Sequence, residues 1–323
     1  MIAKTQGLRR DLWDRYATGR KIMTAALSDS TGRQPAKAGD PLVCRLRALS
    51  SSSPELRDAA LAYETILPII READLGVTPI SISVRETVAK MERGSFILQD
   101  MELYIDSCAY SDLVASLAGA LEQLGTVKYS GAGVARDIRI ALEDESFDSG
   151  SFLMHVACGM RDLIGPLVTN HRLDHDLLWT LGCMSIRPAL REWQQQLTPL
   201  VDASGWGKGY CFVCGATATL AELRGNNQSR HLRCGQCGAD WPIRRLQCIY
   251  CGNDHHHSLG FLYAESQNDH ARVEVCDKCS GYIKLISSFD PLPSDLLTVE
   301  DLATLRLDFI STERGYRRGH RVR

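Results

Sequence analysis

Four Cys-x-x-Cys pairs crowd into one stretch of this chain: Cys211/Cys214, Cys234/Cys237, Cys248/Cys251 and Cys276/Cys279. Two residues between cysteines let the backbone wrap a tight knuckle that aims both sulfurs at one point. Two knuckles joined by a hairpin then complete a tetrahedral four-thiolate site. The first two pairs are separated by 19 residues and the last two by 24, lengths that suit hairpins, while the 10 residues between the second and third pairs suit a join between modules. The spacing favours sequential sets, Cys211/Cys214 with Cys234/Cys237 and Cys248/Cys251 with Cys276/Cys279. The alternative interleaves them, first pair with third and second with fourth. Gly215, Gly238 and Gly252 follow three of the pairs, where glycine admits a positive φ. Ser280-Gly281 follows the fourth, a less regular knuckle.

A stretch this short, split into two ribbons, has too little core to fold by burial alone. Structural zinc in a small site contributes on the order of 10–16 kcal/mol. The expectation is therefore two metal ions held by all eight cysteines. Tetrahedral sulfur suits zinc or a single rubredoxin-type iron, and the sequence leaves the two open. A closed four-thiolate shell has no free position, so hydrolysis at the metal is not expected. Disulfides are disfavoured by compartment. Met1–Gly7 lacks the apolar core of a secretory signal. No run approaches about 18 apolar residues, and the most apolar stretch, Phe152–Val168, is interrupted by Arg161 and Asp162. The expectation is a cytoplasmic chain without membrane insertion, its thiols reduced.

Residues 1–200 read as helix. Leu8, Leu12, Tyr16, Ile22, Met23 and Leu27 fall near helical spacing, and Ser28–Asp40 reads as a loop. Pro54–Ile70, Ser111–Leu124, Asp148–Val168 and Asp174–Leu197 carry apolar residues every three or four positions, with Pro166 and Pro188 as expected breaks or kinks. Past the glycines near Trp206 the pattern shortens to strand-like runs at Thr217–Leu223, Arg230–Arg233, Ile243–Gln247, Leu259–Tyr263, Arg272–Val275 and Tyr282–Ile286. Leu297, Leu302, Leu305 and Phe309 suggest a final helix, and the basic tail Arg314–Arg323 a frayed end. The fold class is multidomain α plus small β. An all-α domain spans 1–203, tandem rubredoxin-like or zinc-ribbon modules span 204–243 and 244–290, and a C-terminal helix with a basic tail spans 291–323.

Other candidates weigh less. His255–His257 reads as a solvated turn beside Cys251. His171 and His175 sit four apart but without the Glu of a His-Glu-x-x-His motif, and Cys158 near His155 reads as a small buried thiol. No phosphate loop, nucleophile elbow or dinucleotide fingerprint occurs, so no catalytic residues are assigned and a non-enzyme is expected. Zinc ribbons often bind nucleic acid, and Arg230, Arg233, Arg244 and Arg245 keep that alternative open. Against it, Trp206–Ile286 holds nine basic and seven acidic residues, and the chain's net charge is −2. Phe212, Trp241, Tyr250 and Tyr282 read as packing around the metal sites. A rubredoxin-like electron carrier or redox sensor is a further alternative if the metal is iron.

The knuckles and their flanks resemble the formate dehydrogenase accessory protein family, FdhE. The resemblance is carried by RHLRCGQCGADW (Arg230–Trp241), RLQCIYC (Arg245–Cys251), RVEVCDKCSGYIK (Arg272–Lys284), DLATLRLD (Asp301–Asp308) and Gly315-Tyr316, with Phe212 where the family usually has Pro. Across residues 1–200 it amounts to a helical domain of similar length. What the resemblance implies is a cytoplasmic, chaperone-like maturation factor, its helical domain joined to two rubredoxin-like modules that hold iron. Such a factor acts on the catalytic subunit of molybdenum- or tungsten-containing formate dehydrogenases and is not itself the dehydrogenase.

Overall fold

The computed structural model describes residues 39–127, 129–264 and 270–319. Side-chain caps punctuate its helical half. Asp40 accepts from the Leu42 amide at the head of α1 (Pro41–Ser52), with proline in the first turn. A 3₁₀ turn at Pro54–Leu56 leads into α2 (Arg57–Glu72). Ser83 caps α3 (Val84–Glu92) and Asp106 caps α4 (Ser107–Gln123). Then follow α5 (Ala132–Leu142), α6 (Ser149–Ala157) under Asp148, α7 (Gly165–His171), α8 (His175–Ser185) under Asp174, and α9 (Arg187–Leu197). Helix α4 is the hub. Its Tyr110, Val114, Leu117 and Ala118 are fully buried, and it packs on α2, α5, α6 and α8.

The expected helical runs are subdivided. Asp148–Val168 contains α6, a 3₁₀ turn at Arg161–Ile164 and the start of α7, while Asp174–Leu197 divides into α8 and α9. The breaks expected at Pro166 and Pro188 occur as helix starts: the two prolines open α7 and α9, where a first-turn proline gives up an amide that has no intrahelical partner anyway. The stripe Leu8–Leu27 and the loop residues up to 38 lie outside the described residues.

The second half is built on one sheet. Its strands are β1 (Leu220–Arg224), β2 (Ser229–Arg233), β3 (Asp240–Pro242), β4 (Leu259–Leu262), β5 (Ala271–Cys276), β6 (Gly281–Ser288) and β7 (Arg317–Arg318). The order is β3-β2-β1-β6-β5-β4, with β7 also on β6. Each ribbon supplies an antiparallel set, and the two join by parallel pairing of β1 with β6, Ala221 opposite Leu285. The strand expected at Ile243–Gln247 is absent. The third strand comes earlier, anchored by buried Trp241 and closed by Pro242, which has no amide to continue the ladder.

The C-terminus holds two short helices where one was expected, α10 (Leu297–Ala303) and α11 (Leu305–Glu313). They are divided at Thr304, whose hydroxyl bonds the Glu300 carbonyl at 2.7 Å. The tail is not simply frayed. Arg317 and Arg318 pair with Gly281 and Tyr282, and Arg318 donates to Asp308 at 3.1 Å and to Asp301. The same two carboxylates hold the ammonium of Lys284, whose side chain is fully buried, at 2.7 Å (Asp301) and 2.6 Å (Asp308). Burial pushes the Asp301 carboxyl up, but Lys284 and Arg318 overrule it and hold it below its ordinary value. That contribution is full above the unfolded carboxylate pKa of about 3.9 and is lost as pH falls through the lower folded value. Breaking a buried pair from one side costs about 3–5 kcal/mol. Lys284→Ala is therefore expected to lower unfolding stability in urea by that amount at pH 7. A loss under about 1 kcal/mol would show the network to be solvent-screened.

Candidate metal centres

Each knuckle is a turn closed by its own backbone. The carbonyls of Cys211, Cys234 and Cys248 accept from the amides of Gly215, Gly238 and Gly252 at 3.0, 2.9 and 3.0 Å. The amides of the same cysteines donate to Ala216, Ala239 and Asn253 at 2.8, 2.9 and 2.7 Å. The turn needs a left-handed residue, and the three glycines supply it at φ 74°, 83° and 70°. In the fourth knuckle Ser280 takes that conformation at φ 53°, and its carbonyl receives the Arg317 amide at 2.8 Å.

The knuckles meet in sequential pairs, so the interleaved arrangement does not occur. The sulfurs of Cys211, Cys214, Cys234 and Cys237 lie within 4.8 Å of one another, as do those of Cys248, Cys251, Cys276 and Cys279. Contacts across the first set are 3.4 Å (Cys211–Cys237) and 3.6 Å (Cys214–Cys234). Across the second they are 3.6 Å (Cys248–Cys279) and 3.8 Å (Cys251–Cys276). A regular tetrahedron with metal–sulfur bonds of about 2.3 Å has sulfurs about 3.8 Å apart, whereas a disulfide needs about 2.05 Å. Either set can hold a tetrahedral ion, and none of the eight cysteines is disulfide-bonded. Burial pushes the Cys211 and Cys237 thiols well above their ordinary range, while hydrogen bonds from the neighbouring cysteines hold Cys234 well below it.

The two sites sit in different surroundings. Cys211, Cys234 and Cys237 are at most 1% exposed and belong to the same core cluster as the helices. Helical-half residues close over the first knuckle: the amides of Ile97 and Leu98 donate to the carbonyls of Phe212 and Val213 at 2.7 and 3.1 Å. Trp241 stands edge-on to Phe212, and its indole donates to the Lys208 carbonyl at 2.9 Å. In the second site Cys251 is exposed and Cys279 half-buried. There buried Asn253 donates to the sulfur of Cys276 at 3.7 Å and to Ser258 at 2.8 Å. Sequence reading overlooked both the Ile97–Leu98 cover and Asn253. Only Asn253 left a signal, in its place directly after Gly252.

The remaining candidates scatter. Arg172 is left-handed at φ 56° and separates His171 on α7 from His175 on α8, so no single helix carries both. His171 lies against Phe147. Cys158 is exposed, contrary to the buried thiol expected, because it caps the surface end of α6. Among the described residues His255–His257 join no metal-ligating group, and His256 and His257 stack on each other. Of the four arginines that kept nucleic acid in view, Arg230 and Arg233 are 3% and 4% exposed and paired with Glu274 and Glu222. Arg244 and Arg245 are exposed. Among the described residues no helix is long and apolar enough to cross a membrane.

On the metal-loaded protein, a chelator is expected to empty the second site first, about tenfold faster, the effect of about 1.4 kcal/mol less protection. Cys251→Ser should abolish the fast phase and Cys211→Ser the slow one. A single phase in the wild type, or one lost equally in both variants, would contradict the difference.

Comparison with known proteins agrees with this geometry. Residues 246–321 match the family model described as FdhE, C-terminal domain. A protein FdhE homolog of Aquifex aeolicus is 35% identical over 117 residues, 34% of this chain and 40% of that protein. The protein FdhE of Escherichia coli O127:H6 is 29% identical over 119 residues, 35% of this chain and 37% of its own length. The chain thus matches well under half the length of these curated relatives. The crystal structure of the FdhE protein from Pseudomonas aeruginosa superposes with a TM-score of 0.56 at 21% identity, covering 86% of this chain and 91% of that one. The resemblance first carried by the knuckles thus extends to the architecture: residues 246–321 are similar to an FdhE C-terminal domain, and the chain shares the fold of a solved FdhE protein.

Proposed function

We propose that the chain is a metal-binding accessory factor for formate dehydrogenase, acting in the cytoplasm on the enzyme's catalytic subunit during maturation. The observation that carries this reading is the coincidence of an FdhE C-terminal domain match with two complete four-cysteine sets. In this reading all eight cysteines are ligands and the chain holds two ions, iron or zinc. Residues 204–243 and 244–290 are the two metal-dependent modules, 1–203 the helical domain and 291–323 the C-terminal helical segment with its basic tail. The metals are structural: they fix the knuckles and so the face shown to the client. The reading assigns the chain no catalysis of its own.

The nucleic-acid alternative is weakened because two of its four arginines are spent on internal carboxylates. An electron-carrier reading draws on one observation, the exposed Cys251 at the edge of the second site. It requires iron and a reversible one-electron wave in oxygen-free voltammetry.

The direct test is affinity capture. The tagged, metal-loaded chain is expected to retain the formate dehydrogenase catalytic subunit, and deleting its gene to leave that subunit made but inactive. Full dehydrogenase activity in the deletion strain would overturn the proposal.

A further inference from the structure

The second half of the sheet has two faces with different fates. On one, Leu262, Val273, Val275 and Tyr282 pack with Leu307 of α11. On the other, the register sets Phe261, Glu274 and Ile283 side by side across β4, β5 and β6. The segment 245–250, with Arg230 and His256, borders this face and leaves a groove of about 240 Å³. Leu246 and Phe261, on its rim, are 66% and 45% exposed. Large apolar side chains in water beside an apolar floor mark an interaction site. The groove runs along β4, which among the described residues ends the sheet with β5 on one side only, an edge that suits pairing with an extended chain.

Charge selects the occupant. Side chains alternate along β5, so this face carries Cys276, Glu274 and Arg272 in turn. At about 3.3 Å per residue the thiolate and arginine ends lie about 13 Å apart. Glu274, in the middle, is engaged by Arg230, which also donates to the Arg244 and Gln247 carbonyls at 2.7 and 3.0 Å. The buried Nε of Arg230 has no partner among the described residues. At the far end the Arg272 guanidinium lies 4.6 Å over the Phe261 ring, and its buried Nε is also unpartnered among the described residues. Arg245 stands exposed on the rim. The groove therefore has apolar side chains around a mutually neutralised Arg230–Glu274 pair, with the cationic groups of Arg245 on its rim and Arg272 beside Phe261 left to meet an acidic group.

We propose that this groove docks an extended segment of a partner protein, with apolar side chains over Leu246 and Phe261 and a carboxylate at Arg245 and Arg272. That the partner is formate dehydrogenase rests on the accessory-factor reading above.

The probe is a fluorescent hexapeptide of four apolar residues followed by two aspartates, with a counterpart ending in two lysines, titrated against the metal-loaded full chain. Leu246→Ser and Arg245→Glu alter exposed side chains, and circular dichroism checks that both variants keep the fold. The aspartate peptide is expected to bind at least about fivefold more tightly than the lysine peptide. Arg245→Glu should reverse the preference, and Leu246→Ser should weaken both peptides. Equal binding of the two peptides, no saturable binding, or unchanged variants would overturn the proposal. So would sedimentation showing that Leu246→Ser turns a dimer into a monomer, since the face would then belong to a second copy. Capture of the dehydrogenase subunit separates the two readings. Equal capture by wild type and both variants removes the groove but keeps the accessory function. No capture by wild type, with the peptide preferences intact, keeps the groove and removes that partner.

Discussion

Sulfur crowding governs this molecule. Four thiol groups within 4.8 Å of one another, twice over, are an unfavourable way to place ionisable groups unless a cation sits among them. Everything around the two sets serves that geometry. The glycine turns bring paired sulfurs to one side, the hairpins bring pairs together, and Trp241, Tyr250 and Asn253 fill the space that a ribbon without a core of its own leaves open. The sheet then couples the sites. β1 pairs with β6 in parallel, so the ribbon carrying the first set borders the ribbon carrying the second.

The sites are alike in ligands and unlike in setting, and that difference divides their roles. The first is sealed by the helical half through Ile97, Leu98 and Phe212, and its burial shares the main core. The second is held from outside, by the α10–α11 clamp on Lys284 and by the β7 pairing that reaches Ser280. Its Cys251 faces solvent, and Cys248 and Cys276 of the same set line the groove. A stable site anchoring an exposed one suits a protein whose working surface lies near the second cysteine set.

Local chemistry was legible in the sequence and long-range pairing was not. The eight cysteines, their grouping and most strand positions followed from spacing and alternation, because a knuckle and a hairpin are decided within a few residues. The helical stripes were legible for the same reason, and so were the breaks at Pro166 and Pro188, each of which opens a new helix. The β1–β6 junction, the Ile97–Leu98 cover and the Arg318 anchor join residues far apart in sequence, and no local pattern announces them. Arginine shows the same limit. Arg230 and Arg233 read as candidates for phosphate contact, and only the fold shows that Glu274 and Glu222 neutralise them.

The most direct measurement is X-ray absorption with metal quantitation on the natively expressed chain. The account predicts two ions per chain, each with four sulfur neighbours at about 2.3 Å. Fewer than one ion per chain, or a shell rich in nitrogen or oxygen, would contradict it.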